Sequence, residues 1–129
     1  MCGIVGLFLK DRALAPDLGR MLGGMLVTMT DRGPDSAGLA VNADGLEGRE
    51  KITVQAAEPE AAFAGLDTAL GEAVGGPVTV TPRDTHAVIE LPAGRTAAAR
   101  AALAELRPGL RVSSAGESIE IYKEVGLPQ

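Results

Sequence analysis

The sequence predicts an α+β fold. Short apolar runs rich in β-formers alternate with helical apolar stripes, and Gly, Pro and Asp/Asn clusters punctuate the changes between them. The chain has 129 residues, 46% hydrophobic and 22% charged, which suits a soluble globular chain of one ordinary domain or two very small ones. Only Phe8, Phe63 and Tyr122 are aromatic, so a core has to come from Ala, Val, Leu, Ile and Met. A formal charge of −5 argues against a nucleic-acid partner. No apolar run is long enough to span a membrane. Met1 to Leu9 is apolar, but it lacks a basic flank and runs straight into Lys10-Asp11-Arg12, unlike a signal peptide. A single cysteine offers no disulfide framework, and no Cys/His cluster suits a structural metal. The expectation is a cytoplasmic, acidic protein with no metal or cofactor of its own.

The elements follow in order. Gly3 to Leu9 reads as a buried strand. After a polar break from Lys10 to Pro16, Leu18, Met21, Leu22, Met25, Leu26 and Met29 recur at helical spacing as one apolar stripe. Gly19, Gly23 and Gly24 weaken that helix and are tolerable if they permit close packing. Asp31-Arg32-Gly33-Pro34 ends it, with Gly33 expected to turn left-handed. Ser36 to Val41 is a second strand, and Asn42 to Gly45 its turn. From Lys51 the pattern changes. Strands are expected at Ile52 to Ala56, Val78 to Val80 and Ala87 to Leu91, and Arg111 to Ser113 with Ser118 to Tyr122 supply one or two final strands. Ala-rich helices are expected at Pro59 to Val74 and Thr96 to Leu106, with a turn from Pro82 to Thr85. The order β-α-β-β-α-β is that of a ferredoxin-like sandwich. The segment before it has too few elements to close a core by itself.

Cys2 directly follows the initiator Met, where so small a residue commonly becomes the mature amino terminus. A terminal Cys carries thiol and α-amine together, and the amine, with a pKa near about 7.7–8.0, can take the thiol proton. That is the N-terminal-nucleophile form of covalent catalysis. Gly3 would let a substrate carbonyl approach the backbone. The lone His86 is expected to be a partly exposed strand residue with no catalytic role. Gly3-x-x-Gly6 and Gly23-Gly24 lack the spacing and context of a nucleotide-binding fingerprint.

Two motifs add to this. Met1-Cys2-Gly3-Ile4-Val5-Gly6-Leu7-Phe8, followed by Asp31-Arg32-Gly33-Pro34-Asp35-Ser36-Ala37-Gly38, closely resembles the opening of the class II glutamine amidotransferases. Within that family the stretches look most like the amidotransferase subunit of N-methylglutamate synthase and glutamate-synthase-like systems. The resemblance covers residues 1 to about 42. It implies an N-terminal-nucleophile (Ntn) hydrolase αββα sandwich, glutamine as substrate and Cys2 as the nucleophile that forms a γ-glutamyl thioester. It implies that Arg32 and Gly33 border the nucleophile, Arg32 orienting terminus and substrate. Asp35 and Ser36 would form a supporting turn that satisfies backbone donors. A synthase subunit would be the partner and would hold any flavin or iron–sulfur group.

The family's Gly-His-x-Arg segment, which binds the substrate carboxylate, and its oxyanion Asn-Gly pair do not occur here. Since an oxyanion donor is worth several kcal/mol of transition-state stabilisation, the chain alone is expected to be a poor glutaminase and to be the front of a longer protein. The expected organisation is residues 1–50 as the first part of the amidase domain, 51–125 as a ferredoxin-like insertion, and 126–129 returning to the amidase. The competing reading is a non-catalytic binding, regulatory or subunit-interaction module.

Overall fold

The computed structural model of the chain describes residues 3–127. Its elements are a mixture of helices and strands, and the chain divides into two compact units, Met1–Gly38 with Lys123–Gln129 and Leu39–Tyr122.

In the first unit, residues 3–9 form no strand, and none of them is buried; Ile4 is 93% exposed and Phe8 85%. The expected buried strand is therefore corrected. Its β-forming composition is present, but no described strand pairs with it, and a strand exists only through its ladder partner. The expected polar break instead holds a 3₁₀ helix, Arg12–Asp17, capped by Asp11 Oδ1 accepting from Ala13 N at 2.9 Å. Helix α1 follows at Leu18–Thr28. Its apolar stripe is half-buried and contributes no buried residue. Thr28 Oγ1 donates to Met25 O, and Thr30 Oγ1 to Val27 O, both at 2.7 Å, so hydroxyls satisfy carbonyls of its last turn. A 3₁₀ turn, Thr30–Arg32, continues the chain. Gly33 is extended at φ −160°, not left-handed as expected, because this tighter turn has already ended the helix.

Strand β1 spans Ser36–Asn42 and β2 Arg49–Gln55, and a left-handed Gly48 (φ 70°) closes the turn between them. The Ala-rich segment expected as one helix is two: α2 at Pro59–Phe63 and α3 at Leu66–Val74. The break is Gly65, left-handed at φ 64°, a conformation that glycine alone adopts without cost. Arg107 restrains the end of α2, donating from Nε to Ala62 O (3.1 Å) and from Nη2 to Ala64 O (3.0 Å). Strand β3 covers Thr79–Arg83 and β4 His86–Pro92. Pro82, expected in the turn, lies within β3, an edge strand where a missing N–H is tolerated. The turn is only Asp84-Thr85, with Asp84 at φ 55°. Helix α4 (Thr96–Leu106) lies where expected. Its first turn lacks a side-chain cap of its own, and Glu50 on β2 accepts from Thr96 Oγ1. That bond, with backbone donors of Gly94 and Thr96, holds the Glu50 carboxyl below its ordinary range. Strands β5 (Arg111–Gly116) and β6 (Ile119–Val125) complete the chain.

Four strands form an antiparallel sheet in the order β3-β4-β2-β5, whereas β6 pairs with β1 in a separate two-stranded ribbon. Opposite residues Ile52 and Ile89, and Val54 and Ala87, point to one face, where Leu66, Leu70, Ala99 and Leu103 close the core. The other face carries Lys51, Thr53 and His86. His86 was expected to be partly exposed but is buried at 3%, its ring edge-on to Tyr122 at 5.4 Å. Lys51 Nζ pairs with Glu120 Oε1 at 2.8 Å, and Tyr122 OH donates to Glu120 Oε2 at 2.6 Å. Burial works against ionisation of Glu120. The bonds from Lys51 and Tyr122, with the charges of Lys51 and Arg83, outweigh it and lower its pKa. Burial, then the bond and charge of Glu120, push the Tyr122 hydroxyl up to about 12.

Glu120→Ala is expected to cost about 2–4 kcal/mol by stranding a buried ammonium. The stabilisation from Glu120 is present above the unfolded carboxyl pKa of about 4.3 and lost as pH falls through the lowered folded value. Tyr122 adds an alkaline limb: stability falls as pH rises from about 10, where the unfolded phenol ionises, toward the folded value of about 12. Urea unfolding against pH checks both limbs, and an unchanged acid limb in Glu120→Ala contradicts the assignment. The same assay should give about 3 kcal/mol for buried Leu70→Ala and under about 0.5 kcal/mol for exposed Ile4→Ser.

Candidate functional site

The residues singled out by sequence converge in the first unit. The stripe of α1 ends at Met29, whose carbonyl accepts from Arg32 N at 2.9 Å, so Met29 and Arg32 stand at the two ends of one tight 3₁₀ turn. Gly3 approaches this turn closely: a methyl group added there would lie 2.5 Å from Met29 Cε and 3.0 Å from Arg32 Cβ. Beside them is a cleft of about 240 Å³. Gly3, Leu26, Met29 and Thr30 line it together with residues 33–38.

Cys2, the expected nucleophile, lies outside the described residues. Its chain neighbour Gly3 lines the cleft, and so do Gly33, Asp35 and Ser36. Arg32 is exposed and borders Gly3 through its side-chain stem. Among the described residues no carboxylate pairs with its guanidinium. Arg32 is not among the residues that line the cleft, and its guanidinium is a planar cation of the kind that can bind a carboxylate in bidentate fashion.

Among the described residues, the bond at Asp35 is made by its backbone. It is the Asp35 carbonyl that accepts a bond, from Gly126 N at 3.0 Å, and this ties residue 35 to the returning chain. Both side chains are exposed, and among the described residues neither Asp35 carboxylate nor Ser36 hydroxyl bonds a backbone donor. Ser36 opens β1, so the cleft wall passes directly into a strand.

Sequence reasoning missed Met29 and Thr30 as site residues. Met29 was read only as the last member of an apolar stripe. The available signal was position, since it stands three residues before Arg32 at the stripe's end. Among the described residues no group of three or more His, Cys, Asp and Glu could hold a metal ion, and no helix is long and apolar enough to cross a membrane.

No family model matches the chain, and no solved structure matches it. Over 129 residues the chain is 57% identical to the glutamine amidotransferase-like protein GlxB of Rhizobium meliloti (strain 1021). The match takes in 100% of this chain and 42% of that protein, so the chain spans less than half the length of the curated relative it matches and is similar to a protein of the glutamine amidotransferase kind.

Proposed function

We propose that the chain is the front part of a class II, N-terminal-nucleophile glutamine amidotransferase subunit, which hydrolyses the glutamine side-chain amide and supplies ammonia to a synthase partner. The observation that carries this reading is the 57% identity, along the whole chain, to a protein named as glutamine amidotransferase-like. The cleft that Gly3 lines supports it, because it offers room for an amino acid, and the stem of Arg32 lies against that same glycine.

In this reading, removal of Met1 frees the Cys2 α-amine, which takes the thiol proton. The thiolate attacks the side-chain carbonyl carbon of glutamine, the C–N bond breaks, and the nitrogen leaves protonated as ammonia. Water then attacks the γ-glutamyl thioester, the C–S bond breaks, and glutamate departs as the thiol is restored. Arg32 holds the substrate or the terminus by charge. Gly33, Asp35 and Ser36 shape the cleft wall.

The finer fold assignment belongs to the same proposal. Residues 1–50 begin an Ntn-hydrolase αββα sandwich, 51–125 are a ferredoxin-like insertion, and 126–129 return toward the amidase. Connectivity β-α-β-β-α-β with sheet order β3-β4-β2-β5 supports the insertion. The motif resemblance favours a cytoplasmic subunit serving an N-methylglutamate synthase or glutamate-synthase-like partner. A non-catalytic binding module is the second reading, and it is favoured by one observation: the buried apolar core lies within Leu39–Tyr122.

Intact mass after exposure to a diazoketone analogue of glutamine separates the two. The amidase reading expects loss of Met1 and one label per chain, abolished in Cys2→Ala. A retained Met1 and an unlabelled chain favour the module. Arg32→Ala is expected to slow labelling about tenfold or more, as loss of a charged contact does, while changing stability by under about 0.5 kcal/mol, since the residue is exposed. Equal labelling rates would remove Arg32 from the site.

A further inference from the structure

Among the described residues, the large apolar side chains left exposed gather in one part of the chain. Ile4, Phe8, Leu14, Val27, Val125 and Leu127 belong to the first unit, and Leu46 and Leu106 to the second. Ile4 at 93% and Phe8 at 85% are almost fully exposed. Along residues 4–9 exposure alternates: Ile4, Gly6 and Phe8 are exposed, whereas Val5, Leu7 and Leu9 are half-buried. That period of two belongs to an extended segment with two opposite faces. Both faces are apolar, and only one of them is partly covered. Exposed apolar surface of this kind marks an interaction site. Neither Ile4 nor Phe8 lines the cleft, so their face is separate from the one that would hold a substrate.

We propose that the face carrying Ile4 and Phe8 is an intramolecular interface, covered in the longer protein by chain that lies outside these 129 residues. The length of the Rhizobium meliloti relative argues for that occupant. All of this chain matches only 42% of that protein, so the relative carries more chain outside the match than within it. The proposal rests on the reading of the chain as the front part of an amidotransferase subunit. It adds to that reading a docking surface with two named anchors.

The test compares the 129-residue chain with a chimera in which it replaces the matched region of the relative. Hydroxyl-radical oxidation, located by tandem mass spectrometry, reads side-chain exposure, with Leu46 and Leu106 of the second unit as the internal reference. Ile4 and Phe8 are expected to lose most of their oxidation in the chimera. Ile4→Ser and Phe8→Ser should leave the urea midpoint of the 129-residue chain unchanged, because both side chains are exposed there. In the chimera each should lower the folding equilibrium constant about tenfold or more, the scale set by burying one large apolar side chain. Amide hydrogen exchange in the intact relative is a second measurement that needs no chimera: its segment matching residues 3–9 should exchange slowly. Equal oxidation of Ile4 and Phe8 in chimera and chain, or fast exchange of that segment in the relative, overturns the proposal. So does protection that appears in the 129-residue chain itself as its concentration rises, which makes a second copy the occupant. Diazoketone labelling keeps the two readings apart. A chimera with Ile4 and Phe8 protected but Cys2 unlabelled overturns the amidase reading and supports the interface; a labelled chimera with both side chains still oxidised overturns the interface alone.

Discussion

Side-chain alternation along β2 and β4 brings Ile52, Val54, Ala87, Ile89 and Leu91 into one apolar layer with Leu66, Leu70, Ala99 and Leu103. This burial sets the register of the sheet, since a slip of one residue would exchange that layer for Lys51, Thr53 and His86. The opposite face then needs polar partners. Glu120 and Tyr122 supply them, so the ion pair is a consequence of the register set by the core. A buried ion pair adds little net stability over apolar packing. Its effect is to penalise any arrangement of β6 that leaves Lys51 or Glu120 alone.

The first unit is built on different terms. Its helix has an apolar stripe but no buried residue, and Ile4 and Phe8 face outward. Segments with few buried apolar contacts open at low free-energy cost, so local devices have to hold its geometry. Those devices are the Asp11 cap, the hydroxyls of Thr28 and Thr30 on the last turn of α1, and the bond from Gly126 to Asp35. The last lies at the proposed site.

Much of this was legible in the sequence. The α1 stripe, α4 and the alternation of strands and helices after residue 50 could be read from period alone. What could not be read depended on partners. The run from Gly3 to Leu9 has strand composition but no described ladder partner. Gly65 divides a helix because its left-handed backbone overrides the helix propensity of the alanines around it. Pro82 is acceptable in a strand only because β3 is at an edge, and edge position is a tertiary property. His86 is buried by a contact with Tyr122, far away in sequence. At the site, the motifs located Arg32, Gly33, Asp35 and Ser36, yet Met29 looked like core because a stripe does not reveal what its last residue touches.

The central proposal is that chemistry begins at a terminal thiol–amine pair on Cys2. Tandem mass spectrometry of the chain's first proteolytic peptide, after reaction with the diazoketone analogue of glutamine, tests this most directly. The account predicts a peptide that begins Cys2-Gly3-Ile4, with the label on Cys2. A peptide that begins at Met1, with the Cys2 thiol unmodified, would contradict it.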